Sequence, residues 1–266
     1  YIIKAPMPNI FNGKYTNNDG QAGRMYATDA IKNMKNSGSS VSAFISEPIL
    51  GCGGQVVLAK GYLKEIYSAI RSQGGVCISD EVQTGFGRLG HKFWGFEMHD
   101  VVPDIVIIGK PMANGHPIGA VVTTSEIAES FSKGVEFFSS FGGNPVSCAI
   151  GMSVLDVIEE ENLQENAKVV GSYYMSLFKD LQKKHTCIGD VRGSGLFIGI
   201  EIVKEHSKEP DTKLAQRIKN ELRNKKILVG TDGPFNNVIK SKPPLCFTKE
   251  NAESVVRNIE LIINKL

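Results

Sequence analysis

Two charged residues stand where two apolar runs end. The segment Val76–Arg88, VCISDEVQTGFGR, is apolar up to Asp80, and the segment Asp104–Pro117, DIVIIGKPMANGHP, is apolar up to Lys110. A short apolar run bounded by turn residues reads as a strand buried on both faces, as in a parallel sheet. In open α/β sheets, ligands bind in the crevice beyond the carboxyl ends of the strands. A carboxylate and an amine delivered there fit the chemistry of pyridoxal phosphate. That cofactor needs a lysine for its Schiff base and an acid to keep its pyridine nitrogen protonated. Either charge alone reads as a solvated strand end. The pair, each followed by a turn rich in glycine or proline, favours the cofactor.

The elements that must position this pair are legible around it. Val41 to Glu47, VSAFISE, reads as a strand ending on Glu47-Pro48. Leu63, Ile66, Tyr67 and Ile70 then recur at i, i+3, i+4 and i+7, an amphipathic helix over Gly61 to Ser72 stopped by Gly74-Gly75. With the Val76 run this makes a β–α–β unit, and a parallel sheet is the economical architecture. Upstream, residues 1–20 read as irregular loop and Ala22 to Met34 as a weakly patterned helix. Downstream of the Lys110 turn come an apolar run at Gly119 to Thr123 and a short helix near Glu126 to Phe131. Asn144-Pro145 then opens a helix whose apolar face carries Val146, Ile150, Val154 and Val157. A helix over Leu163 to Lys184 follows, then strand (GLFIGIEIV), a helix over Thr212 to Lys225, short strands and a final helix over Lys249 to Lys265. The fold class is α/β. The boundary falls near Glu160, with part of a large domain in 1–160 and a smaller α+β domain in 161–266.

Composition narrows the function. With 266 residues, a net charge of +2 and 22% charged residues, nothing marks nucleic acid or a membrane surface as partner. The five cysteines (Cys52, Cys77, Cys148, Cys187, Cys246) lack paired spacing and read as reduced thiols of a cytoplasmic protein. The five histidines show no metal-ligand spacing, so no metal is expected. His116, between Gly115 and Pro117, is either solvated or a support for the Lys110 turn. Gly85-Phe86-Gly87-Arg88-Leu89-Gly90 fits G-x-G-x-x-G, but Glu81 to Thr84 separate it from the strand and no helix opens after it. A turn over the site is the better reading than a dinucleotide loop. The chain opens on Tyr1 in a segment that reads as the middle of a longer protein.

Three motifs, DEVQTGFGR at Asp80 to Arg88, PDIVIIGKPMANGHP at Pro103 to Pro117 and FGGNPVSCA at Phe141 to Ala149, carry a resemblance to the class III, fold type I, pyridoxal-phosphate aminotransferases. Nearly the whole chain resembles the C-terminal part of that family. The resemblance implies that Lys110 forms the Schiff base and that Asp80 pairs with the pyridine nitrogen. It places Val82 on the ring face and Gln83 near the ring hydroxyl. It implies that Ser140, usually Thr in the family, reaches the cofactor phosphate of the neighbouring subunit in a homodimer. The family's N-terminal phosphate-binding turn and its stacking aromatic are not in this sequence.

Cys52-Gly53-Gly54-Gln55, Gly115-His116-Pro117 and Lys240-Ser241-Lys242-Pro243-Pro244 resemble the phospho-lyase branch, enzymes similar to ethanolamine-phosphate phospho-lyase. Many carboxylate-handling relatives have Arg where this chain has Lys240, and Arg grips a carboxylate at two points while Lys offers one. The resemblance implies that Glu47 pairs with Lys240 at the substrate. The expected substrate is a primary amine, with phosphoethanolamine favoured. The alternatives are an ordinary amino-acid:glyoxylate or pyruvate transaminase, and a non-catalytic fragment or binding module.

Overall fold

The computed structural model describes residues 2–16 and 19–265. Its first half grows from the β–α–β unit read in the sequence. Helix α1 (Gln21–Asn36) precedes strand β1 (Ala43–Ser46), the short ribbon strands β2 (Ile49–Leu50) and β3 (Val56–Val57), helix α2 (Tyr62–Arg71) and strand β4 (Val76–Asp80). The four residues picked out by helical spacing in α2 are all buried, with Ile66 and Ile70 at 0% exposure. Each such side chain contributes roughly 1.5–3 kcal/mol by leaving water. They pack on Tyr26, Ala30 and Met34 of α1 and on Cys77 of β4.

Strands β5 (Ile105–Ile108) and β6 (Ala120–Thr123) complete a sheet ordered β1-β4-β5-β6. β1 runs parallel to β4 and β4 parallel to β5, whereas β6 is antiparallel to β5. A turn connects β5 to β6 without a crossover helix, so the chain must come back in the opposite sense. The sequence reading of β4 as buried on both faces needs correction. Cys77 and Ser79 are buried, while Val76, Ile78 and Asp80 on the opposite face are half-buried. Helices α1 and α2 cover one face; among the described residues no comparable layer covers the other.

Helix α3 (Ser125–Ser132) and helix α4 (Pro145–Glu160) follow, and Asn144 caps α4 by accepting from the Ser147 N–H at 2.9 Å. The predicted apolar face of α4 is largely open, with Val146 at 67% and Val157 at 43% exposure. Helix α5 (Leu163–Lys184) leads to a second sheet built from β7 (Ile188–Ser194), β8 (Phe197–Ile202), β9 (Gly230–Asp232) and β10 (Val238–Ser241). Its order is β7-β8-β10-β9 and every pairing is antiparallel. All six residues of β8 are buried: Ile198, Ile200 and Ile202 lie in the core with α5, α6 (Thr212–Asn224) and α7 (Lys249–Ile263), while Phe197 packs on Ile49 and Leu89, and Gly199 and Glu201 meet Gln55 and Arg192.

Two arginines tie the sheets together. Arg88 Nη1 donates to the carbonyls of Leu196 (3.1 Å) and Pro243 (2.7 Å). Arg192 donates to the Gly54 carbonyl through Nε (3.0 Å) and Nη2 (2.6 Å), and its Nη1 pairs at 2.6 Å with the buried Glu201. The turn after β4, the β2–β3 ribbon and the end of β10 are thereby held against one another.

Candidate active site

The parallel pairing of β4 with β5 sets Asp80 opposite Ile107, and the chain reaches Lys110 just past the end of β5. The two residues first singled out in the sequence therefore share one edge of the sheet. The Asp80 carboxylate turns back to accept from the Val82 N–H at 3.1 Å. Lys110 begins a 3₁₀ turn, Lys110–Ala113, with φ +29. An L residue there carries strain of about 1–3 kcal/mol, and such strain clusters at functional sites. Lys110 is exposed, which differs from the enclosed position its neighbouring apolar strand implies. Val82 lies against the start of this turn: a Cβ built on Gly109 would meet its methyl at 3.5 Å.

The residue that fixes this corner is Glu81, which sequence reading passed over. It is fully buried, and its oxygens accept from Ser79 Oγ (3.2 Å), Thr84 Oγ1 (2.6 Å), Gly95 N (2.9 Å) and Phe96 N (2.8 Å). A buried carboxylate with every contact a donor is stable only in this geometry. Asp80 and Val82 are its chain neighbours. Beyond it, Phe86 packs edge-on to Trp94 at 5.3 Å, so the glycine-rich stretch is a packed turn, as its sequence context implies.

Glu47 is the hub of the site, and it does not pair with Lys240. Its Oε1 accepts from Gln83 Nε2 at 3.0 Å and its Oε2 from the Gly51 N–H at 3.0 Å. A Cβ on Gly51 would stand 2.3 Å from Gln83 Nε2 and would displace that amide from Glu47. Lys240 instead pairs with Asp232 Oδ2 at 2.8 Å. The expectation fails because Asp232, on the neighbouring strand β9, meets Lys240 on the same sheet face. Glu47 has already filled its coordination with closer donors. Burial pushes the Glu47 carboxyl above its ordinary value, against those two hydrogen bonds; Asp80 adds to the rise and Lys110 opposes it.

The cation that does reach this cluster is Lys242. Its Nζ donates to Gln83 Oε1 at 3.0 Å, so Glu47, Gln83 and Lys242 form one chain. Among the described residues no carboxylate pairs with it. Burial, helped by the charges of Arg88, Lys240 and Lys110, brings its ammonium down to about 8. A signal was present in the sequence: Lys240 and Lys242 flank Ser241, the last residue of β10, and an extended backbone continued one residue past the strand turns both to one side. Arg88 is likewise pushed down by burial, to about 10.

These groups fit pyridoxal phosphate: an amine at a strained turn, a carboxylate on the adjacent strand end, an apolar side chain beside them and an amide within the same cluster. Lys110, Asp80, Val82 and Gln83 would hold it. Two other residues lie apart from this cluster. Ser140 is exposed in the loop before α4. His116 Nε2 contacts Ser147 Oγ at 2.7 Å and fastens the turn after Lys110 to the start of α4.

Comparison with known proteins identifies the family. The profile of the class III aminotransferases (Aminotransferase class-III) matches residues 1–263. The alanine–glyoxylate aminotransferase 2-like protein of Drosophila melanogaster is 48% identical over 262 residues, 95% of this chain and 53% of that protein. Ethanolamine-phosphate phospho-lyase homolog 1 of Caenorhabditis elegans is 44% identical over 280 residues, 99% of this chain and 60% of that protein. A solved phospholyase from Arthrobacter in complex with phosphoethanolamine superposes with a TM-score of 0.92 at 36% identity, covering 100% of this chain and 63% of its own. The chain thus spans between about half and two thirds of the length of these relatives. A strand-end lysine and aspartate on a fold type I framework, matched by a family profile along almost the entire chain, place this protein in the class III aminotransferases, enzymes dependent on pyridoxal phosphate.

Proposed function

We propose that the enzyme to which this chain belongs releases phosphate from a phosphorylated primary amine of the phosphoethanolamine kind. The observation that carries this reading is the state of the two lysines on and just after β10. Lys240 is taken by Asp232, whereas Lys242 donates to Gln83 and, among the described residues, pairs with no carboxylate. A lone ammonium is a point receptor for phosphate, and it lacks the planar fork that grips an α-carboxylate at two points. The solved phospholyase that covers the whole chain supports the same substrate class.

When bound, pyridoxal phosphate supplies an electron sink next to the carbon that bears the substrate nitrogen. Asp80 would keep a proton on the pyridine nitrogen. Val82 would pack on the ring face and Gln83 would lie near the ring hydroxyl. Lys110, once free, would take the proton from the carbon bearing nitrogen. Glu47 holds Gln83 in place, and Gln83 holds Lys242, which would bind the substrate phosphate. Loss of phosphate from the neighbouring carbon and addition of water then yield inorganic phosphate, ammonia and an aldehyde. Ser140 and the open faces of β6 and α4 support a homodimer in which Ser140 would reach the partner's cofactor phosphate. A cytoplasmic site of action belongs to the same reading.

Transamination with glyoxylate or pyruvate is the second reading, favoured by the 48% identity to the aminotransferase 2-like relative. Both rates measured on one preparation of the complete enzyme decide between them. Phosphate release from phosphoethanolamine is expected to exceed transamination of alanine. Dominant transamination with no phosphate release refutes the proposal.

A further inference from the structure

Lys240 and Lys242 differ because one of them has a built partner. In the β9–β10 register Lys240 lies opposite Gly230, where a Cβ would stand 3.2 Å from Lys240 Cε. The bare glycine leaves the sheet face open, and the lysine crosses it diagonally to Asp232, on the same face two residues along. Asp232 is itself aimed. Gln55 Nε2 donates at 2.8 Å to Asp232 Oδ2 and at 2.8 Å to the Gly51 carbonyl.

Gln55 is an unusual residue for this task. It is 0% exposed, and its Oε1 finds no hydrogen-bond partner among the described residues. Turning the amide over would satisfy nothing, since its oxygen would then face two acceptors. An orphaned buried oxygen is unfavourable in itself, so the orientation is held by what the nitrogen does. Its backbone is also in the left-handed region, at φ +52. The Gly51 peptide joins this unit to the rest of the site, because its N–H serves Glu47 while its carbonyl serves Gln55.

We infer that Asp232, aimed by Gln55, is a specificity-determining residue. It takes up the charge of Lys240, leaves Lys242 as the unpaired ammonium of the pair, and so favours an amine with one anionic group over one that also carries an α-carboxylate. Only the identity of that anionic group rests on the phosphate-releasing reading.

The test is Asp232→Asn in the complete holoenzyme. Asparagine keeps an oxygen for Gln55 and removes the charge that occupies Lys240. Two substrate pairs differing only in an α-carboxylate are compared by kcat/KM: O-phosphoserine with phosphoethanolamine, and alanine with ethylamine. Dissociation constants for the same compounds are taken by calorimetry on the cofactor-free enzyme, where turnover does not consume them. The preference for the carboxylate-bearing member of each pair is expected to rise about tenfold, the effect of one added charge-assisted contact. Gln55→Met keeps both charges but frees Asp232, and is expected to shift the preference in the same direction by less. Unchanged preferences in both variants, with melting temperatures kept, overturn the inference. If Asp232→Asn does not fold, Gln55→Met alone decides. A shift in the alanine–ethylamine pair without any phosphate release retains Asp232 as the determinant and removes the phospho-lyase reading instead.

Discussion

Replacing Lys242 with methionine is expected to stabilise the protein while weakening its substrate binding. The Lys242 ammonium falls from an ordinary value of 10.5 to about 8 because burial and three nearby cations disfavour its charge. At about 1.4 kcal/mol per pH unit this sets an upper bound of about 3 kcal/mol on the penalty of keeping the group charged at neutral pH. The side chain is only half-buried, and solvent screening reduces the penalty to about half. Loss of the hydrogen bond to Gln83 Oε1, worth roughly 0.5–1.5 kcal/mol, offsets part of the remainder. Lys242→Met should therefore gain at most about 1 kcal/mol at pH 7, read from denaturant unfolding of the cofactor-free enzyme. Because the folded value lies below the unfolded one, the unfolded chain holds more protons between pH 8 and 10.5. Wild-type stability should thus rise relative to the variant as pH increases through that window, and the advantage of methionine should vanish near pH 10. In parallel, phosphoethanolamine binding to the wild type should weaken above about pH 8. Lys242→Arg should keep that binding at high pH, and Lys242→Met should lose it at every pH. A destabilised methionine variant whose deficit is the same at every pH would refute the reasoning, since Lys242 would then be an ordinary supporting residue.

Three other outcomes follow from the geometry. Lys110→Ala should eliminate any cofactor adduct that borohydride can fix to the protein; a fixed adduct in that variant would remove Lys110 from its role. Asp80→Asn should retain the cofactor but lower turnover by about 10²–10⁴-fold, the usual weight of a positioned acid or base, and near-normal turnover would exclude Asp80. Glu81→Gln puts an amide N–H against donors that now all point at oxygen, so unfolding free energy should drop by about 2–4 kcal/mol. An unaltered denaturation midpoint in that variant would show that the corner after β4 is held by something else.

Local patterns carried much of this protein into view. Leu63, Ile66, Tyr67 and Ile70 announce α2 by spacing alone, and Asn144-Pro145 announces α4, because helix periodicity and capping act within a few residues. Asp80 and Lys110 were identifiable for a related reason: each ends an apolar run, and strand ends face the ligand crevice whatever lies further along the chain. The antiparallel return of β6 was not legible, because an apolar run does not state its direction. The openness of Val146 and Val157 was hidden too, since an apolar face looks the same whether or not something covers it.

What the tertiary structure alone decided is which charge meets which. Sequence resemblance paired Glu47 with Lys240, but the β9–β10 register gave Lys240 to Asp232, and a ribbon glycine with Gln83 satisfied Glu47. Gln55 reaches Asp232 across 177 positions and Lys242 reaches Gln83 across 159. Electrostatic partnership falls off over a few ångströms, and no spacing rule in a linear chain encodes contacts made at such separations. The sequence set two lysines on either side of the last residue of β10; only the fold decided that Lys240 is paired with Asp232 while, among the described residues, Lys242 meets no carboxylate.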